Sequence, residues 1–577
     1  MNNQLANPWS DYPRPQLRRD SYFILNGTWQ LNGENITIPY PPQSELSGYK
    51  GAIVDELTYT HTFNLPSNFS EGRILLHFGA VDQVADIYIN DIHVGNHIGG
   101  YLPFSFDITD IIDKNGSNHM TIKAMDNLST EYPYGKQSKN RGGMWYTPVS
   151  GIWQTVWLEN VPTHYIEKLK LTTDMSSVHI ALQLSNSINT EHSTIQTRPD
   201  NFSVVVTLPN GSTLTKKFDG ASGTIDFSNE FDDDNNSLTP VLWSPDNPYL
   251  YNMTITYGTD TLHTYFALRK IEICSIDGIN RICINNTPVF MHGVLDQGYF
   301  MDGIYLPVNS IEYKNDILRM KELGFNTLRK HIKIEPEQFY YYCDQLGMLV
   351  IQDMVNSGPY SFIKDTVLPN LGFKKRNDSH NKSKDSARKE LFKKNMIETI
   401  ELLYNHPCVI VYTIFNEGWG QFESDRMYKI AKSHDSSRLY DSTSGWFAGK
   451  HSDFDSEHIY FRNKKLKPKT RPMLLSECGG FTYKDEAHLF NPDKSYGYGN
   501  CKDTDELTER IINMYKSMVI PAINKGLCGC IYTQLSDVED EINGLYTYDR
   551  EVCKVDKIKM KQLSGQITDT LSYIANI

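Results

Sequence analysis

Two glutamates stand where long apolar runs end. Val409-Ile410-Val411-Tyr412-Thr413-Ile414-Phe415 leads into Asn416-Glu417-Gly418-Trp419, and Met473-Leu474-Leu475 leads into Ser476-Glu477-Cys478-Gly479-Gly480. Cleavage of a glycosidic bond through a covalent intermediate needs two carboxyl groups about 5–5.5 Å apart, one protonated to release the leaving group and one ionised to attack the anomeric carbon. Glu417 is the candidate acid/base and Glu477 the candidate nucleophile. Asn416 is placed to hydrogen-bond a sugar 2-hydroxyl, and Trp419 to offer a ring for stacking. Arg329, with Lys330 and His331 directly after it, can keep a nucleophilic carboxylate ionised through a charge-assisted bond. Asp296, Tyr460, Gln534 and Glu541, at or beyond the ends of further apolar runs, complete the candidate substrate contacts.

Side chains that far apart in the chain meet only if the elements beneath them form a frame. After Lys270, short apolar or β-branched runs alternate with helical stretches, the spacing of repeated strand–helix units. The runs are 289–294, 326–331, 349–354, 409–416, 439–442, 458–460, 473–476 and 530–534, enough to close a (β/α)8 TIM barrel whose reactive groups lie just beyond the C-terminal strand ends. Helices are expected at 311–323, 336–346, 387–404 and 503–524. Strand ends four and seven face each other across such a mouth. A long insertion, 356–385, carries Lys364, Lys374, Lys375, Arg376, Lys382 and Lys384 and comes after the third strand, a place for a lid or for a solvated basic excursion.

Before Lys270 the texture is all β. Alternating runs such as Arg73 to Phe78 and Ala85 to Ile89 predict a β-sandwich over residues 1–161, and strands such as Phe202 to Thr207 a second, immunoglobulin-sized sandwich over 162–269. The barrel takes 270–577. With 577 residues, several domains are required. A formal charge of −13 argues against a general nucleic-acid or membrane-surface binder, which needs a basic face. No stretch of about 18 apolar residues occurs and Met1 to Arg19 has no apolar leader core. All nine cysteines lie from Cys274 onward, none at zinc-ligand spacing, so core thiols in a reduced cytoplasm are expected, with no metal and no cofactor.

These residues resemble glycoside hydrolase family 2, the β-galactosidase, β-glucuronidase and β-mannosidase group. The segments that carry the resemblance are Asn7-Pro8-Trp9 to Pro15, Leu25-Asn26-Gly27-Thr28-Trp29, Thr147 to Glu159, Phe266 to Ile271, Asn416-Glu417, Ser476 to Gly480 and Asn543 to Arg550. The resemblance implies a sugar-binding-type jelly-roll sandwich, an immunoglobulin-like sandwich and a catalytic TIM barrel. It also implies retention of configuration, action on terminal β-linked sugars, and a homo-oligomer. The expected activity is an exo-β-glycosidase, with β-galactosides first by family frequency.

The chain departs from the family just after the first strand, at Leu295-Asp296-Gln297-Gly298-Tyr299, and in the displaced His331. The glucuronidase Asn-x-Lys element is replaced by Glu541-Ile542-Asn543, whose acid repels a uronate. A β-glucuronide or β-galacturonide hydrolase remains the alternative if Lys330, His331 and Lys333, or Arg462 with Lys464, bind the carboxylate. From another class, a non-catalytic carbohydrate-binding protein on the same scaffold would lack turnover and covalent labelling.

Overall fold

In the computed structural model, residues 9–69, 71–185, 199–230, 238–373, 385–460 and 464–575 are described. The first sandwich pairs a six-stranded antiparallel sheet with a four-stranded one. Its long strands Glu56–Asn64 and Ser117–Met125 alternate buried and exposed positions, as expected where one sheet face meets a core and the other meets water. That core is Trp29, Leu57, Tyr59, Leu76, Ile87, Ile122 and their neighbours. The second sandwich has sheets of three and four strands around Val178, Ile180, Val204, Ile255 and Leu262.

The barrel strands are β1 (Met291–Asp296), β2 (Thr327–Lys330), β3 (Leu349–Asp353), β4 (Val409–Asn416), β5 (Leu439–Ser444), β6 (Asp455–Ile459), β7 (Met473–Gly479) and β8 (Leu527–Thr533). They pair in parallel in the order β5-β4-β3-β2-β1-β8-β7-β6, and β5 and β6 pack side by side where the ring completes. Every residue of β1 to β5, β7 and β8 is buried. A parallel sheet covered on both faces has no polar alternation, so these strands appear in the sequence as continuous apolar runs. β6 differs: it opens with Asp455-Ser456-Glu457, and it begins earlier than its apolar tail suggests. β1 is shifted toward Asp296, and β8 starts at Leu527, ahead of the expected run.

The outer helices include α1 (Ile311–Glu322), α2 (Glu337–Leu346), α3 (Ser386–Leu403), α4 (Ser424–His434), α5 (Thr504–Met514) and α6 (Lys557–Ala575). In α1 the buried Tyr313, Ile317 and Met320 recur at helical spacing, and α2 stops at Gly347 in the left-handed conformation (φ +66°). The expected helix 503–524 is instead α5, a π-helical turn at Tyr515–Val519 and a short helix Ile520–Ile523. Pro521 lacks the amide hydrogen that regular helix requires there. No helix among the described residues is long and apolar enough to cross a membrane.

One loop of the first sandwich lies across the barrel mouth. After the strand ending at Met125, Tyr134 donates its amide to Asn356 O (3.0 Å) and its hydroxyl to Gly358 O (2.9 Å). Further on, Thr147 donates its amide to Glu539 Oε1 (2.8 Å) and Arg141 binds Glu539 Oε2 (3.3 Å). The start of the insertion after β3, residues 356–360, is therefore seated against the sandwich. Lys374, Lys375, Arg376, Lys382 and Lys384 lie outside the described residues, as does Arg462.

Candidate active site

Glu417 directly follows β4 and Glu477 lies within β7. The two carboxyl groups and the His458 imidazole each bring one atom to a common point, all within 4.8 Å of one another. Glu417 adopts φ +51°, a left-handed conformation costing a side chain about 1 kcal/mol or more, and Gly418 comes next at φ +76°. Glu417 N donates to Ser444 O on β5 (3.1 Å), and Trp446 Nε1 donates to Glu417 O (3.2 Å). Backbone bonds on both sides thus fix an unfavourable turn that aims the carboxyl across the mouth.

Arg329, wholly buried at the end of β2, joins the two halves of the site. Its Nη1 donates to Glu477 Oε1 and to Ser476 O (both 2.9 Å), its Nη2 to Asn416 Oδ1 (2.9 Å), and its Nε to Asp353 Oδ1 (3.0 Å). The Asn416 carbonyl oxygen is thereby engaged, leaving its NH2 as the donor open to a ligand. Tyr460 donates its hydroxyl to Glu477 Oε2 and stacks on Tyr498 at 4.3 Å. Burial opposes ionisation of Glu477, but His458, Arg329 and His331, together with the Tyr460 hydroxyl, outweigh it and hold the carboxyl at about 2. The nucleophile candidate is an anion throughout the physiological range.

His458 is held beside Glu417 by a chain of hydrogen bonds through two serines. Ser476 Oγ donates to the Glu457 carbonyl (3.4 Å), which can only accept. Ser476 therefore accepts from Ser444 Oγ (3.0 Å), and Ser444 in turn accepts from His458 Nε2 (2.9 Å). His458 Nδ1 lies 2.7 Å from Glu417 Oε1, so one proton shared between imidazole and carboxyl completes that bond. The same Nε2 lies 3.6 Å from Glu477 Oε1, so one imidazole spans both carboxyl groups.

Most of the other expected contacts are occupied within the protein. Lys330 is caged, bonded to Asp296 Oδ2 (2.6 Å) and Glu335 Oε1 (2.9 Å), and Asp296 is held by that lysine and Gly298 N. Lys333 is likewise spent on Gly298 O (2.6 Å), Tyr305 O (2.7 Å) and Glu335. His331 binds Asp353 Oδ2 (2.7 Å), and burial pushes its imidazole down to about 4 despite that bond. Trp419 is only 1% exposed, so it offers no face to a sugar; it lies beneath half-buried Trp145 of the sandwich loop, ring centroids 5.5 Å apart. Gln534 accepts from Gln297 Nε2 (2.9 Å). Glu541, 4% exposed, accepts from the Tyr146 hydroxyl and from Asn543 Nδ2 (3.0 Å), and burial raises its carboxyl above the usual range.

Two participants escape the sequence reading. His458 sits two residues before Tyr460 in one extended segment, and that period-two spacing was the available signal. Lys136, on the sandwich loop, has no signal near it. A metal at Glu417, His458 and Glu477 would have to compete with Arg329 and Tyr460 for Glu477 and with His458's own bonds. A second group of potential metal donors, His488, Asp549 and Glu551, lies at the surface.

Comparison with known proteins gives three consecutive family-model matches. They are the galactose-binding domain-like model of glycosyl hydrolase 2 over residues 36–166, the glycosyl hydrolases family 2 model over 164–269, and the family 2 TIM barrel domain over 276–471. A β-galactosidase of Thermoanaerobacter pseudethanolicus is 25% identical over 77% of this chain, and a putative β-glucuronidase of Formosa agariphila 23% identical over 74%. The aligned parts cover 58% and 50% of those relatives, so this chain spans little more than half their length. The solved β-D-glucuronidase of Dictyoglomus thermophilum superposes with a TM-score of 0.72 at 18% identity, covering 96% of this chain and 98% of that one.

Proposed function

We propose that this chain, which belongs to glycoside hydrolase family 2, is a retaining exo-β-glycosidase acting on a terminal β-linked neutral sugar, in the first place a β-galactoside. The carrying observation is that one oxygen of the Glu417 carboxyl and one of the Glu477 carboxyl lie within 4.8 Å across one mouth, which suits double displacement better than the wider spacing that holds a water between acid and base. Glu477, held ionised, attacks the anomeric carbon while Glu417 gives its proton to the departing oxygen. The glycosyl ester then forms on Glu477. Glu417, now a base, takes a proton from water as that water attacks the anomeric carbon, and the sugar leaves with its configuration retained. His458, hydrogen-bonded to Glu417 Oε1, positions the acid; Asn416 NH2 is the donor for a sugar hydroxyl.

The neutral-sugar reading rests on charge. Lys330 and Lys333 are caged by Asp296 and Glu335, Arg329 is shared by Asp353 and Glu477, and Glu541 adds a further buried acid. Arg329, Lys330 and Lys333 are thus taken up by carboxylates, and the remaining buried cation beside the site, Lys136, acts on the Glu541 carboxyl, so a uronate would bring a second acid to it. The names of the Formosa relative and the Dictyoglomus structure favour the uronide alternative; the name of the Thermoanaerobacter relative favours the galactoside. A homo-oligomer in a reduced cytoplasm, consistent with nine free cysteines, completes the proposal.

Hydrolysis of nitrophenyl β-galactoside, β-glucuronide and β-galacturonide, compared side by side, tests the substrate. Turnover of the acidic glycosides alone refutes the neutral reading. A 2-fluoro galactoside should label Glu477, and Glu477→Ala should abolish turnover while galactose still binds; a label on another residue refutes the assignment.

A further inference from the structure

Four lysines are buried among the described residues: Lys136, Lys330, Lys333 and Lys554. Three are caged by carboxylates, Lys554 by Asp537 at 2.7 Å. Lys136 is 7% exposed and has neither a carboxylate oxygen within 4.0 Å nor a hydrogen-bond acceptor for its ammonium among the described residues. Its charge lies 5.2 Å from the Trp419 ring centroid and 5.8 Å from that of Tyr146. An ammonium set against two rings keeps donors that a ligand's oxygens can take.

The backbone holds the lysine in place. Lys136 O accepts from Tyr146 N (3.0 Å), while next to it Gln137 binds Asp82 Oδ2 (3.0 Å) and Tyr101 OH (3.1 Å). Tyr146, whose ring lies near the ammonium, donates its hydroxyl to Glu541, which sits on the barrel. Trp419 meets His331 edge-on at 6.4 Å, and His331 packs with Asp353 beside Arg329 and Glu477. Burial works against the charge of Glu541, and Lys136 is the strongest influence supporting it. Lys136 and Glu541 are thus joined through the Tyr146 ring and hydroxyl, beside the Trp419 and His331 rings that lead to Glu477.

We propose that Lys136, supplied by the first sandwich, is a specificity-determining residue of the barrel site, forming with Glu541 a donor–acceptor pair that binds hydroxyl groups of a neutral terminal sugar. A hydroxyl can accept from the ammonium and donate to the carboxylate, whereas a sugar carboxylate satisfies the lysine but meets Glu541 with like charge. This inference rests on the assignment of Glu477 and Glu417 to the anomeric centre.

The test uses the full chain and its Lys136→Met, Lys136→Arg and Glu541→Gln variants, with nitrophenyl β-galactoside and its monodeoxy analogues as probes. Loss of a hydrogen bond to a charged group is expected to lower kcat/KM about 10- to 100-fold in Lys136→Met. That loss should nearly vanish for one monodeoxy sugar, the one lacking the hydroxyl that Lys136 binds, and Lys136→Arg should recover part of it. Glu541→Gln should show the same selectivity at that hydroxyl or its neighbour. A loss equal on every deoxy sugar, or no loss with the melting temperature unchanged, overturns the proposal. So does a loss confined to nitrophenyl galacturonide. Labelling of Glu477 by the 2-fluoro galactoside in the wild-type chain is scored separately, so failure of the lysine's role is distinguishable from failure of the glycosidase reading.

Discussion

Replacing Arg329 with Met removes the permanent charge that opposes burial at Glu477. The carboxyl has an ordinary value of 4.5 and stands at about 2 in the site, which corresponds to about 3 kcal/mol in favour of the anion. Without the guanidinium, the carboxyl moves up from about 2 toward its ordinary value, with His458, His331 and the Tyr460 hydroxyl still opposing desolvation. The assay is the second-order rate of inactivation by the 2-fluoro galactoside as a function of pH, because that step needs ionised Glu477 and little else. In the wild type, no acid limb belonging to this group is expected at mildly acid pH. In Arg329→Met that limb should move to higher pH than in the wild type, with the plateau lowered as Asn416 and Glu477 lose their common anchor. The substitution also strands Asp353, and breaking a buried pair costs about 3–5 kcal/mol, so rates are compared only where circular dichroism shows a folded chain. The double variant Arg329→Met, Asp353→Asn relieves that second charge and keeps the measurement accessible. An acid limb at the wild-type position in both variants would refute the electrostatic role of Arg329.

Glu417→Ala should keep turnover of dinitrophenyl glycosides within about tenfold in the first step while losing a thousandfold or more on alkyl glycosides, because only the latter need a proton; equal losses count against the acid role. His458→Phe removes the partner of Glu417 Oε1, so turnover of alkyl glycosides should fall more than that of dinitrophenyl glycosides, whereas equal losses reject a positioning role at the acid. Trp419→Ala should cost about 3–5 kcal/mol in denaturant unfolding and act through Trp145, not by loss of a sugar contact. His331, neutral in the folded chain down to about 4 but protonated near 6.5 when unfolded, takes up a proton on unfolding. Its contribution to stability is thus present above 6.5 and lost as pH falls toward 4; His331→Gln should flatten that decline in thermal melts.

The barrel was legible because strands buried on both faces must be written as apolar runs, and a catalytic group at such a strand's end interrupts the run. Glu417 and Glu477 stood out for that reason, as did Arg329 at the end of β2. β6 was harder: Asp455, Ser456 and Glu457 pair with Arg471, Asp441 and Lys464, so polarity there does not mark a loop. Lys330 and Lys333 looked like a basic rim, since sequence does not reveal that Asp296 and Glu335 meet them in the interior. Trp419 looked like a sugar platform because it neighbours the acid, but φ +51° at Glu417 turns the chain and sends the indole beneath Trp145. Lys136 was invisible because its partners in space, Trp419 and Glu541, lie hundreds of residues away on another domain.

The sandwich loop that reaches over the barrel through Tyr134, Thr147 and Tyr146 has a thermodynamic consequence. Part of the wall around the mouth is contributed by a separately cored unit, so occupancy of the mouth should stiffen both units together. Calorimetric scans with galactose present should raise the melting of sandwich and barrel in parallel, and amide exchange should slow in the loop's amides as well as at the strand ends. A barrel expressed without its leading sandwich would retain Glu417 and Glu477 but present them in an unroofed groove.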